Sequence, residues 1–427
     1  MPRVVVVGGG RAGLASAVAL ADPGLDVDLL EARPFAGGRA TSYQHQDETI
    51  DNCQHVLLRC CVNLLDLYDR MGVADRVRFH REFYFFEPGG RVSVLKAGAL
   101  PAPLHFTGAF LRLRFLDMAD KLAIARAMLA IRRERTRRAD LDRISMGDWL
   151  REKGQTRRAV ERFWAPVLVS AINEDLDRMA ARHGFQVFWL GFLARGDSYE
   201  MGIPAVPLAD LYGNVPGVRV HYRTGVDRFI EEGGRVLAAQ AGGGRFDGDA
   251  FVCAVPFERV PALVPGMAFD GWSHSPITGV HLWFDRKVTD APHGALLDRT
   301  IQWFFNKDAG RYLQLVVSAS RSILETPRAE VIRMAKAELE EFLPAVREAK
   351  VVKAHVVKEA RATFSATPGL SRPGTATRWP NLFLAGDWTD SGWPATMEGA
   401  VRSGYIAAEA VAASLGRPAR CLIPDIA

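Results

Sequence analysis

Residues 4–40 read VVVVGGGRAGLASAVALADPGLDVDLLEARPFAGGRA, and this stretch decides the fold. Val4, Val5, Val6 and Val7 are β-branched and unbroken, the pattern of a strand buried on both faces. Gly8, Gly10 and Gly13 then set out G-x-G-x-x-G where the strand turns into a helix with apolar positions Leu14, Ala17, Val18 and Leu20. The first glycine permits the tight turn and the second lets backbone approach a pyrophosphate. The third lets the helix pack on the strand, and Ala12 is expected among the contacts. Phosphates there meet free amides and the positive end of the helix dipole. A second strand ends at Glu31, roughly 20 residues on, where a carboxylate accepts hydrogen bonds from a ribose. The stretch therefore predicts an α/β dinucleotide-binding domain.

The chain has 427 residues, room for two or three domains with sizeable cores. Hydrophobic residues make up 48% and charged residues 24%, the balance of a folded globular protein rather than a disordered one. The net charge of +5 is mildly basic, but no recognisable nucleic-acid module accompanies it, so no nucleic-acid partner is expected. The cysteines at 53, 60, 61, 253 and 421 show neither a C-x-x-C pair nor metal-ligand spacing. No metal site is expected, and the scattered odd set favours a reducing compartment. The first strand begins after Met1-Pro2 with no signal-peptide pattern before it. No run of about 18 apolar residues is present to cross a bilayer. A cytoplasmic location is the expectation.

Further along, a helix is expected over 56–71 and a hairpin from REFYFFEP and RVSVLKA about Gly89-Gly90. Residues 100–138 are proline-rich, then aromatic and aliphatic among arginines, then helical with a basic end. Such a pattern suits an interfacial helix on an anionic membrane; it equally suits a core helix with a solvated end. Residues 145–173 read as helical. Residues 218–256 read as strand, strand, hairpin, strand, the last rejoining the nucleotide domain. Residues 272–363 alternate Trp- and Phe-rich strands with a helix at 328–343, as ordinary sheet core or as walls of an apolar chamber. Near the C-terminus, a strand at 382–385 runs into Gly386-Asp387, a loop, and a helix starting at 395–398. A helix N-terminus there favours negative charge on a bound ring.

Gly37-Gly38-Arg39 resembles the second glycine turn of the flavin amine oxidase and phytoene desaturase superfamily, in which the arginine approaches the FAD phosphates. The resemblance extends to the C-terminal run. It implies that Asp387, beside Gly386, contacts the ribityl–phosphate region, that Met397 and Glu398 cap the ring end, and that backbone at Val226 meets the adenine. The implied architecture is a discontinuous Rossmann-type FAD-binding domain (1–85, 205–265 and 375–427) with an inserted mixed α+β substrate domain (86–204 and 266–374). Residues 100–138 would be a helical membrane-contact segment. The stretches DNCQHVLL, LPAPLHF, ERFWAPVLVSAINE, YEMGIPAVPLADLY and AGDWTDSGWPATMEGAVRSG together look like the hydroxysqualene dehydroxylases of bacterial hopanoid pathways. One departure is Cys53, where that family's D-N-G-Q-H run has glycine.

The resemblance implies that hydroxysqualene and reduced FAD give squalene, water and oxidised FAD. Loss of the allylic hydroxyl leaves a delocalised cation for the flavin hydride to quench. The protein must orient the carbon, protonate the leaving oxygen and exclude water. Asp51, His55 and Asp390 are the candidate acids, with Glu174 and Glu200 behind them. Asp51 and Asp390 also fit caps, and His55 fits a core histidine. The FAD is expected to be non-covalent, since residues 387–400 hold no cysteine. A single dinucleotide fingerprint implies an external electron donor. The expected substrate, a long isoprenoid, favours peripheral attachment to the inner face of the cytoplasmic membrane. A carotenoid desaturase and an amine oxidase are the competing readings.

Overall fold

A computed structural model describes residues 1–22 and 24–426. Its nucleotide half is a five-stranded parallel sheet ordered 218–221, 26–30, 3–7, 250–253, 382–384. The valine run is in its centre: Val4, Val5 and Val6 are fully buried and Val7 nearly so. This is why the run carries no polar alternation. The chain leaves this sheet and returns to it four times, last through Leu382–Leu384.

The first helix, Arg11–Ala21, and the last, Met397–Ser414, pack together beside this sheet. Gly404 makes their close approach possible, since a Cβ there would lie 2.8 Å from Ala15 Cβ and 3.1 Å from Ser16 N. The Ser16 hydroxyl lies 2.9 Å from the carbonyls of both Ala12 and Gly404, tying the two helices at that point. A three-stranded antiparallel meander (226–232, 235–241, 244–247) packs Phe229 edge-on to Phe251 of the sheet.

The second half is built on a seven-stranded sheet ordered 351–364, 274–284, 312–318, 303–308, 293–296, 82–86, 92–96. The helix Arg328–Phe342 covers one face through Val331, Ala335 and Leu339. A helical layer from Thr107 to Leu193 faces the other side of the large aromatic core. Its helix Met118–Glu134 starts at a reciprocal cap between Asp117 and Asp120.

Three expectations need correction. The helix expected over 56–71 covers only Val62–Arg70, because Leu57–Leu58 pair with Met201–Pro204 in a small sheet. The strand Val218–His221 is not part of the meander; it hydrogen-bonds in parallel to 26–30. A division at 85 cuts through the strand Glu82–Phe86, which belongs entirely to the seven-stranded sheet. In each case a short apolar run is ambiguous locally and its pairing partner is distant.

Candidate active site

One cavity of about 910 Å³ runs from the glycine turns to the helical layer. At its nucleotide end Gly8 takes a left-handed φ of +107°, and a Cβ on Gly13 would run into the Gly8 carbonyl. The Gly9 amide donates to Glu31 Oε2 at 2.7 Å and the Arg33 amide to Oε1 at 2.8 Å, so the carboxylate is fixed with lone pairs to spare. The second glycine turn docks on the first: Gly37 N donates to Gly9 O at 2.8 Å. A Cβ on Gly38 would lie 3.0 Å from Gly10 Cα. The first helix has no side-chain cap and no acid in its first turn, and Gly10, Arg11 and Ala12 line the cavity. Its free amides therefore open onto an anion-accepting groove. Arg11 is buried, donates to the Tyr212 hydroxyl, and keeps a buried Nε without a partner. A bare backbone cradle, an uncapped helix end and an orphan guanidinium donor together fit a bound pyrophosphate.

The C-terminal loop closes the same groove. Arg39 Nη2 donates to Asp387 Oδ1 at 2.5 Å and its Nη1 to the Ala362 carbonyl at 3.1 Å. Asn52 holds the turn from behind, donating to the Arg39 carbonyl at 2.7 Å. Thr396 caps the last helix through the Gly399 amide at 3.0 Å. Glu398 is fully buried and accepts from Asn63 Nδ2 at 2.8 Å and Leu64 N at 2.7 Å. Burial pushes its carboxyl up to about 7 although these donors pull the other way. Gly8, Gly10, Ala12, Glu31, Gly38, Arg39, Val226, Gly386, Asp387, Met397 and Glu398 all line the cavity; Gly13 lies behind it and sets the helix against the strand.

The far end is hydrocarbon. Phe83, Phe110, Phe163, Phe188, Phe192 and Phe305 wall it, and few polar groups interrupt them. Ser170 accepts from Trp303 Nε1 at 2.8 Å, and Asn173 donates to Ser275 O and Thr363 Oγ1. Pro103, Leu104, Phe106 and Leu129 bring the cavity to the 100–138 segment. There Leu100, Leu104, Leu111, Met118, Leu122 and Leu129 are each more than half exposed. Such a concentration of exposed apolar side chains marks an interaction surface.

The candidate acids do not converge. Asp51 is buried outside the cavity, bonded by the Ser42 hydroxyl at 2.7 Å, the Leu208 amide at 2.9 Å and Lys307 at 3.4 Å. Its place in the strand Glu48–Asp51 aims it at the adjoining 208–211 turn instead. Asp390 is solvent-exposed and pairs with Arg372 at 3.2 Å. Glu174 is buried against Arg321 and Ser365, and Glu200 pairs with Arg59 and Arg81; neither lines the cavity. His55 does line it, with Nδ1 donating to the Cys53 carbonyl at 3.0 Å. Burial and the Arg11 charge lower it to about 4, so it is neutral at pH 7 and a poor acid. Cys53 lines the cavity too, and burial pushes its thiol up to about 12, which leaves it unreactive.

Sequence reading missed Glu359. Among the described residues four carboxylates line the cavity: Glu31, Glu359, Asp387 and Glu398. Three are engaged as described above, whereas Glu359 has no ion-pair or hydrogen-bond partner for its side chain among the described residues. It is half-buried on the strand Val351–Phe364, in register with Ile277, which lines the same cavity. Its strand alternates polar and apolar residues with no distinguishing signature, so only the sheet register reveals it.

A family description, "flavin containing amine oxidoreductase", matches residues 11–412. Hydroxysqualene dehydroxylase from Rhodopseudomonas palustris is 30% identical over 96% of this chain and 98% of its own length. Zeta-carotene desaturase from Synechocystis is 27% identical over 97% and 98% respectively. Among solved structures, wild-type putrescine oxidase bound to putrescine superposes with a TM-score of 0.74 at 16% identity, over 96% of this chain and 99% of that one.

Proposed function

The chain belongs to the flavin-containing amine oxidoreductase family, an FAD-dependent oxidoreductase, and on that premise we propose that it reductively removes the hydroxyl of hydroxysqualene to give squalene. The observation that carries this reading is the continuity of one cavity, which joins a pyrophosphate-accepting groove to a long hydrocarbon chamber. The relative from Rhodopseudomonas palustris, matched over nearly its whole length, supports the same substrate class. An amine would find few polar groups in that chamber.

FAD would be held at both ends of the chain, without a covalent bond. The amides at Gly10–Ala12 and Arg11 would hold its pyrophosphate, Glu31 its ribose, and Val226 its adenine. Arg39 with Asp387 would hold the middle, and the Met397–Glu398 helix end the ring. When bound and reduced, FAD supplies the hydride that quenches the allylic cation. The remaining tasks fall to side chains. Glu359, the lining carboxylate that no partner engages, is the group placed to act on the departing hydroxyl oxygen. Hydrocarbon filling the chamber keeps bulk water from the cation. Phe163, Phe188 and Phe192 fix the chain so that one carbon is presented. The electron donor is external.

The exposed leucines at the chamber mouth would rest on a membrane, peripherally, because no helix among the described residues is long and apolar enough to cross one. A hydrocarbon substrate then passes from lipid to chamber without meeting water.

The test is anaerobic. Photoreduced holoprotein mixed with hydroxysqualene should reoxidise its flavin with matching formation of squalene. Flavin that stays reduced beside untouched hydroxysqualene overturns the proposal. The carotenoid desaturase relative favours the opposite hydride direction; oxidised enzyme bleached by a polyene substrate would establish it.

A further inference from the structure

A second concave site adjoins the chamber mouth. Leu129, Arg132, Arg133, Thr136 and Arg137, all solvent-exposed on one face of the helix end, line an open surface pocket of about 360 Å³. Leu129 and Arg132 also line the large cavity, so the two share a wall. The pocket forms where the helix Met118–Glu134 ends. The Arg137 amide turns back to the Glu134 carbonyl at 3.0 Å, which returns residue 137 to the last helical turn.

Three guanidiniums around one pocket repel one another, and nearby acids do not relieve them. Glu134 is taken by Lys153 and Arg138, and Glu152 and Asp140 by Arg138. Among the described residues no carboxylate pairs with Arg132, Arg133 or Arg137. Arg135 differs from its neighbours, because its guanidinium stacks on Trp189 at 3.8 Å from the ring centroid. It therefore leaves the basic cluster that residues 132–135 suggest in sequence, and Arg137 takes its place.

We propose that this pocket binds a phosphate or diphosphate carried on a hydrocarbon chain. The head sits on Arg132, Arg133 and Arg137 and the chain passes Leu129 into the large cavity. Planar guanidinium forks match phosphate oxygens two at a time, and three of them suit a multiply charged head. The shared wall supplies the second half of the argument, since it places the anion site next to the entrance for a hydrocarbon tail. The proposal deepens the isoprenoid-chamber reading and rests on it. The head has two possible sources: a phospholipid of the membrane under the 100–138 face, or a free isoprenoid diphosphate.

The experiment uses purified holoprotein, R132Q/R133Q/R137Q, and R126Q as a control on the same helix outside the pocket. Calorimetric titration compares farnesyl diphosphate with farnesol. Vesicle sedimentation compares phosphatidylcholine with and without phosphatidylglycerol. Wild type should prefer farnesyl diphosphate over farnesol by about tenfold or more, and the triple variant should erase that preference while keeping farnesol binding. R126Q should keep it. An effect of the triple variant on the titration alone identifies a free diphosphate as the source; an effect on anionic vesicles alone identifies the lipid headgroup. Both arms unchanged in the triple variant, or R126Q losing as much as the triple variant, overturns the proposal. Neither arm reads flavin chemistry, so failure here is separable from failure of hydroxysqualene turnover.

Discussion

Substituting Gly404 by alanine tests whether the contact between the first and last helices sets the cofactor groove. The added Cβ would lie 2.8 Å from Ala15 Cβ and 3.1 Å from Ser16 N, with the Ala12 carbonyl closer still. Carbon atoms in contact sit about 3.5–4.0 Å apart, so the helices must separate by about 1 Å. Two of the three obstructing atoms are backbone and cannot rotate away. Overpacking of this kind costs about 1–3 kcal/mol. The same shift moves Ala12 and the uncapped amides at the head of the first helix away from Gly38 and Asp387. A tenfold loss of FAD affinity corresponds to about 1.4 kcal/mol, so a loss of about ten- to a hundredfold is expected. The assay is flavin released on dilution and dialysis, read by absorbance against protein, with S414A on the exposed side of the last helix as control. Wild-type flavin retention together with wild-type thermal stability in G404A would refute the reasoning.

Three further outcomes are expected. E359Q should bind FAD normally yet reoxidise reduced flavin with hydroxysqualene about 10²–10⁴ times more slowly; an unchanged single-turnover rate removes Glu359 from the mechanism. His281 is fully buried, and burial, then the His355 and Lys307 charges, lower it to about 3. Its ordinary value near 6.5 returns on unfolding, so the unfolded chain takes up the proton first and stability falls as pH drops below 6.5. By pH 4 the loss is about 3 kcal/mol from this one residue. H281F should flatten the pH dependence of the denaturation midpoint between pH 7 and 4, and an unaltered slope contradicts the assignment. L111E/L122E should lose vesicle binding while turning over detergent-solubilised substrate at the wild-type rate; vesicle binding equal to wild type removes this face as the membrane contact.

The nucleotide half was legible because its chemistry is local. The valine run, three glycines and Glu31 must follow one another closely for a pyrophosphate and ribose to be reached, and the Gly386–Glu398 run is equally compact. The substrate half is not local in this sense. Asp51 and Asp390 lie near those motifs in sequence, but one side chain turns into the adjoining 208–211 loop and the other into solvent. Glu359 sits on an unremarkable strand and reaches the cavity only through its register with Ile277. The pairing of Leu57–Leu58 with residues 201–202 and the stacking of Arg135 on Trp189 are likewise long-range events. Helical period and charge runs do not encode them.

The groove is assembled from segments far apart in the sequence, and this has a consequence for the order of events during synthesis. Gly8 through Arg39 leave the ribosome long before Asp387, Thr396 and Glu398. Until Leu382–Leu384 add to the edge of the parallel sheet and Glu398 reaches Asn63 and Leu64, the groove lacks a wall. Residues 423–425 then strap it: the Ile423 amide donates to Asn63 Oδ1 at 2.8 Å and Asp425 pairs with Arg402 at 3.0 Å. Flavin capture therefore waits until residues 382–398 have folded onto the sheet. A polypeptide truncated before residue 382 should stay colourless, whatever else of the fold it forms.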